Sequence, residues 1–136
     1  MKSDKQQMSY VPQTSEHVKI TGVTAAAVPY DIKLPKGAYV EDVKVVVTTQ
    51  FANATADIDI GTTANPAYYK ATSIDAGTGN ASAVGSYGID AAKMMDAVAS
   101  DQIVRVTVTG GGVAAGEAWV WVNYRFDSNP YPTQLV

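Results

Sequence analysis

Two aspartates two residues apart, Asp57 and Asp59 in "ADIDIGTTANP", carry the most suggestive spacing in this 136-residue chain. On an extended strand such a pair points to one face, where two carboxylates could begin a calcium site or share a proton. A calcium ion needs about six to eight oxygens, and "IGTTANP" is no EF-hand loop. The alternative is a wet sheet face, with Ala56, Ile58 and Ile60 turned to the core and Gly61 releasing the chain. His17 is the only histidine, and no Gly-x-Ser-x-Gly elbow accompanies it as a nucleophile. Zinc catalysis usually takes two or three histidines. A glycosidase needs only two carboxylates, but Glu16, Glu41 and Glu117 stand in no recognisable setting. "GTGNASAVGSYG" lacks the Gly-Lys-Ser/Thr ending of a phosphate loop. "NAT" at 53 and "NAS" at 80 match the glycosylation acceptor triplet, a pattern that also arises by chance. No catalytic, cofactor-binding or metal-ligating residue follows, so the chain reads as a non-enzyme without a cofactor.

Trp119 and Trp121 alternate along "AWVWVNYRF" and share a face opposite Val120, Val122, Tyr124 and Phe126. A sandwich strand has one core side, so one set must meet a second surface. Outward tryptophans suit a subunit interface or a sugar-stacking platform. The opposite assignment also stands at this stage: tryptophans in the core, with the tyrosine and phenylalanine covered by the N-terminal segment.

The elements that must position these residues have period two. "VEDVKVVVTTQF" sets Val43, Val45, Val47, Thr49 and Phe51 against Lys44, Val46, Thr48 and Gln50. "QIVRVTVTG" sets Val104, Val106 and Val108 against Arg105 and Thr107. Shorter strands are expected at 17–25, in "PYDIKLP" and in "ADIDIG", with turns at 35–38, 61–66 and 110–112. Residues 75–89 read as a long loop, and 90–99 as a short helix or a short strand. Residues 1–16 are polar and broken by Pro12, which predicts an extended arm; 17–126 form the body; 127–136, with Pro130 and Pro132, predict an extended tail. The expected fold is all-β, a jelly-roll-like antiparallel sandwich with extended N- and C-terminal arms.

With 46% hydrophobic residues the body can bury a core, and with no cysteine it has neither disulfides nor thiolate metal sites. A net charge of −3, with cations scattered singly, argues against nucleic acid as a partner. No apolar run approaches the ~20 residues of a membrane-crossing helix. The polar N-terminus lacks the apolar centre of a signal peptide, which predicts synthesis in the cytoplasm.

Over residues 34–69, "LPKGAYVEDVKVVVTTQFANATADIDIGTTANPAYY", the chain resembles small structural proteins of tailed bacteriophages. A Leu-Pro-x-Gly turn leads into a valine-rich strand, followed by an Asp-Ile-Gly-Thr strand end and an Asn-Pro turn. "VRVTVTGGGVAAGEAWVWVNYRF" is similar to the closing hairpin of such domains. The resemblance implies a head-decoration or cement protein of the capsid surface, made in the host cytoplasm. Its implied partner is the major capsid protein, with a dimer or trimer on the shell. The interface residues expected on this reading are Tyr10, Val11, Pro12, His17, Trp119, Trp121, Tyr131 and Leu135. The alternative is a receptor- or carbohydrate-binding module of a tail or fibre, using the tryptophans with Tyr68, Tyr69 and Tyr87.

Overall fold

The computed structural model describes residues 14–21, 27–77, 84–110 and 116–126, with 14–16 and 126 described by backbone alone. Among these residues nine strands form: β1 (Thr14–Thr21), β2 (Ala27–Lys33), β3 (Ala38–Thr49), β4 (Asp57–Gly61), β5 (Ile74–Asp75), β6 (Gly85–Tyr87), β7 (Asp96–Ala97), β8 (Ile103–Thr109) and β9 (Glu117–Phe126). Only a 3-10 turn at Ala91–Lys93 interrupts the β pattern among the described residues.

Two antiparallel sheets result. One has the order β1-β9-β3-β6, with β7 also on β3; the other has β2-β8-β4-β5. The pairs β1–β9, β2–β8, β3–β6/β7 and β4–β5 are nested: the first half of the chain is rolled against the second. Successive strands β1 to β4 alternate between sheets, which is jelly-roll wiring.

Alternation decides what lies between the sheets. Val43, Val45, Val47, Val104, Val106, Val108, Val120 and Val122 are fully buried, joined by Ile20, Ile58, Ile60 and Phe51. Each buried valine contributes roughly 1.5–3 kcal/mol over an exposed one, so a one-residue slip in any of these strands would be prohibitive. Thr49 departs from the expected face and is exposed. A register shift between Val47 and Thr49 explains it, and a second shift lies between Val40 and Asp42. Each bulge inserts a residue that alternation cannot anticipate.

Other elements differ from expectation at their ends. β1 starts at Thr14, three residues inside the segment expected to be an arm, because 14–16 pair with Tyr124, Asn123 and Val122. The expected loop 75–89 contains β6, which pairs with β3. Segment 90–99 provides both a helical turn and a strand, the turn at 91–93 and β7 at 96–97. Gly61 explains the abrupt halt of β4: a Cβ there would lie 2.2 Å from the Asn65 and Pro66 carbonyl oxygens. The turn beyond it closes through Thr62 N–H to Asn65 O at 2.9 Å and Tyr69 N–H to Ile60 O at 3.0 Å. Residues 1–13 and 127–136, which hold most of the expected N-terminal arm and all of the expected tail, lie outside the described residues.

Candidate interaction face

Val120 and Val122 face the core together with Val18 and Ile20 of β1 and Val43, Val45 and Val47 of β3. That leaves Trp119 and Trp121 outside and overturns the assignment that would have buried them. The reason lies in the neighbouring strands, whose apolar sets can only be buried on the valine side.

On the outer surface, direct cross-strand pairing builds two rows. His17 lies opposite Trp121, which lies opposite Lys44; Lys19 lies opposite Trp119, which lies opposite Val46. The two indole rings stack at 6.1 Å with 23° between their planes. The His17 ring sits 6.2 Å from that of Trp119, and Lys19 Nζ stands 5.4 Å from the Trp119 ring centre. Lys19 also pairs with Glu117 at 2.9 Å, and the Thr48 hydroxyl donates to Glu117 at 2.8 Å. These contacts hold the Glu117 carboxyl below its ordinary range, the Lys19 hydrogen bond first. Further along, Arg125 Nη2 donates to Glu41 Oε2 at 3.1 Å. The result is a partly buried aromatic pair bordered by Lys44 and by the Lys19–Glu117 ion pair. Such aromatic anchors suit a surface that is covered by a partner, because tryptophan and tyrosine are over-represented among the residues that carry interface energy.

Of the eight expected interface residues, the fold brings together His17, Trp119 and Trp121. Tyr10, Val11, Pro12, Tyr131 and Leu135 lie outside the described residues. Lys19, Lys44 and Val46 were missed. The signal for Lys19 was its two-residue spacing from His17; Lys44 and Val46 required knowing that β3 adjoins β9.

The residues weighed for chemistry are placed elsewhere. Asp57 and Asp59 lie on the outer face of the second sheet while Ala56, Ile58 and Ile60 are fully buried. Asp57 is directly opposite Asp75, and the Ser73 hydroxyl donates to Asp59. Partial burial, then Asp75 and Asp59, push the Asp57 carboxyl above its ordinary range. Among the described residues no three His, Asp or Glu side chains are grouped to hold a metal. Glu41 and Glu117 are each engaged with a cation, on Arg125 and Lys19. Asn53 shapes a turn: its amide nitrogen donates to the Gly110 carbonyl, and its oxygen accepts from Thr55 N–H and hydroxyl at 2.9 Å.

The loop tyrosines also move. Tyr69 is fully buried, its hydroxyl pushed up to about 12 by burial, so it presents no ring to a sugar. Tyr68 and Tyr87 are half-buried against the core. The Tyr68 hydroxyl donates to Asp96 at 2.8 Å, beside a cleft of about 320 Å³ lined by Thr62, Asn65 and small alanines. That cleft brings together no acid–base pair.

No family model matches the chain, and no curated protein does. Solved structures do. A chain of the cyanophage Pam1 capsid asymmetric unit superposes with a TM-score of 0.64 at 23% identity, covering 85% of this chain and 84% of that one. The fold is one that phage capsids contain. A chain of the acid-stable capsid of Helicobacter pylori bacteriophage KHP30 gives 0.50 at 14% identity, covering 80% and 92%. One from the capsid of Ralstonia phage GP4 gives 0.50 at 18%, covering 88% and 90%. In each case nearly the whole sandwich is shared, so the likeness concerns the full β-roll rather than one hairpin.

Proposed function

We propose that this chain is a non-enzymatic structural protein of a tailed-phage virion, a decoration protein that binds the capsid exterior and cements neighbouring capsid subunits. The observation that carries the proposal is a fold shared over most of its length with chains of three phage capsids. The outer face of the first sheet supplies the means of attachment. Trp119 and Trp121 act as anchors, and Lys44 favours an acidic surface on the major capsid protein.

The mechanism is mass action. A ligand that binds only the assembled lattice stabilises it by RT ln(1 + [L]/Kd), about 2.7 kcal/mol per site at a hundredfold excess over Kd. Repeated over a closed shell, such increments oppose internal pressure without turnover. The N-terminal arm extends the contact to a neighbouring subunit. Because β1 begins at Thr14, the deletion that isolates the arm is 1–13 rather than 1–16.

Co-sedimentation with capsids lacking this protein tests the reading. Saturable binding of the intact chain, lost on Trp121→Ala in a variant that keeps its β spectrum, is expected. Absence of saturable binding by the intact chain would overturn it. The near-parallel Trp119 and Trp121 rings also favour a second reading, a sugar platform on a tail or fibre. A glycan array on which binding disappears with Trp121→Ala, alongside no capsid binding, would select that reading.

A further inference from the structure

A hydroxyl buried without a partner costs a fold stability that a phenylalanine in its place would not lose, so each such group calls for an explanation. Tyr69 carries one. The residue is fully buried, and its hydroxyl has no hydrogen-bond partner among the described residues. Its backbone is pinned on both sides, by Tyr69 N–H to Ile60 O at 3.0 Å and by Asp90 N–H to Tyr69 O at 2.9 Å. The same side chain lines the cleft of about 320 Å³ that lies beyond the end of β4.

No charged side chain lines that cleft, and every residue that does line it is among those described. Ala64, Ala97 and Ala99 leave room by being small, while Tyr68 and Tyr69 meet edge to face at 5.0 Å along one side. The other polar side chains of the lining are engaged. Asn65 N–H donates to the Thr62 hydroxyl at 3.0 Å, the Asn65 side-chain oxygen accepts from Ala67 N–H at 3.1 Å, and the Tyr68 hydroxyl donates to Asp96 at 2.8 Å. Of the lining residues, Tyr69 is the one whose buried polar atom is left over.

Its surroundings indicate where the hydroxyl lies and what it offers. Burial first, then Tyr68, Asp96 and Asp101, push it up to about 12, so it keeps its proton and can donate it to an acceptor. Ala97 and Ala99 stand in the chain between those two aspartates, which puts the hydroxyl toward the cleft wall that they form. That wall is a short strap between Met95 and Gln102, whose φ values of 66° and 65° are costly for residues with a side chain. Met95 N–H to Val40 O at 2.7 Å and Val98 N–H to Ala38 O at 2.9 Å tie it to β3. The hydroxyl presents almost no surface of its own, so an occupant reaches it as the strap gives slightly.

Size and lining together select the ligand. Ligand sites run from roughly 300 to 1,000 Å³, so this cleft suits a single ring or a short chain. Its alanine and tyrosine walls favour an apolar group, the hydroxyl requires an acceptor, and Asp96 and Asp101 oppose a negatively charged one. We propose that the cleft binds a small, neutral, largely apolar molecule through a carbonyl oxygen that accepts from the Tyr69 hydroxyl. Neither tryptophan lines the cleft, so this site is separate from the attachment face and does not rest on the virion reading.

Cyclopentanone and cyclopentene test it, because the rings match in size and only the ketone carries an acceptor. Amide shifts of the full chain are followed by NMR as each is added. Cyclopentanone is expected to bind saturably in the millimolar range, moving amides within 62–69 and 97–99. Tyr69→Phe should weaken it about three- to tenfold and leave cyclopentene within about twofold. Without a probe, Tyr69→Phe should keep or raise the urea midpoint, since no hydrogen bond is lost. Ala99→Leu, which fills the cleft and leaves Tyr69 in place, should abolish binding of both rings. The proposal is overturned by absence of saturable shifts, by cyclopentanone binding that survives Ala99→Leu, by equal effects of Tyr69→Phe on the two rings, or by a marked fall in the Tyr69→Phe midpoint.

Discussion

The two outer faces of the sandwich obey one rule of alternation and end in different chemistry. The first sheet displays His17, Lys44, Val46, Trp119 and Trp121 beside the Lys19–Glu117 and Arg125–Glu41 ion pairs, aromatic and mixed in charge. The second displays Asp31, Asp57, Asp59, Asp75, Arg105 and Thr107, short, polar and mostly acidic. A face meant for water can be made of aspartate and threonine, which leave little apolar area behind. One that leaves parts of two indoles wet loses roughly 25 cal/mol for each Å² of apolar surface so exposed, a loss recovered when a partner covers it. The difference is the reason the proposed attachment is assigned to the first sheet.

The comparison can be broken at several levels. Gly61→Ala should have the largest effect, because the new Cβ collides with backbone oxygens at the end of β4 rather than with a movable side chain. A loss above about 3 kcal/mol, seen as failure to fold or a large fall in the urea midpoint, is expected. Both faces should disappear together.

Next comes the anchor pair. Trp119→Ala with Trp121→Ala should weaken capsid binding about a hundredfold or more, as removal of hot-spot aromatics does. Asp57→Asn with Asp59→Asn, on the opposite face, should leave binding within about twofold. If the acidic pair proves the sensitive one, the assignment of faces is reversed.

Smaller effects should follow from charge. Lys44→Glu should slow association about three- to tenfold at low salt, with the difference shrinking as salt rises. On the acidic face, Asp57→Asn relieves the directly opposed Asp57–Asp75 pair and should stabilise the fold by about 0.5 kcal/mol at neutral pH.

The two aspartates of that face should also respond to acid with opposite signs. Asp57 has its carboxyl raised, so the folded state binds the proton more tightly than the unfolded one, and acidification through the aspartate range favours folding there. Asp31, hydrogen-bonded to Arg105 through Nε and Nη2 at 2.7 and 2.9 Å, is held low. Its contribution is present above the unfolded aspartate range and fades as pH falls through the lower folded value. Urea midpoints of Asp57→Asn and Asp31→Asn between acid and neutral pH should therefore diverge from the intact chain in opposite directions. Parallel curves would remove the electrostatic part of the comparison.

Much of this was legible in the residues. The alternation in 43–47, 104–108 and 119–124 identified three central strands, and the inward sets of the first two. The Asp57/Asp59 pair read correctly as a wet face, because Ile58 and Ile60 between them leave no other side for the core. Thr49 did not, since a bulge changes parity without leaving a mark in composition. Tyr69 read as a loop residue and is a core residue: hydrogen bonds from its N–H to Ile60 and from Asp90 N–H to its carbonyl fix it over the sandwich end. Short edge strands such as β6 escaped because three residues carry too little pattern to distinguish from a loop.

By itself the sequence determined the spacing of apolar side chains, and hence that each long strand has one dry side and one wet side. In β9 it left two apolar sides and did not say which was dry. That choice belonged to the assembled sheet. β1 and β3 flank β9 with Ile20, Val43, Val45 and Val47 buried on one side, against Val46 alone on the other, and a strand between them must turn the same way for the core to close. Local pattern specifies a pair of faces; the neighbours across the ladder decide which one the solvent, or a partner, meets.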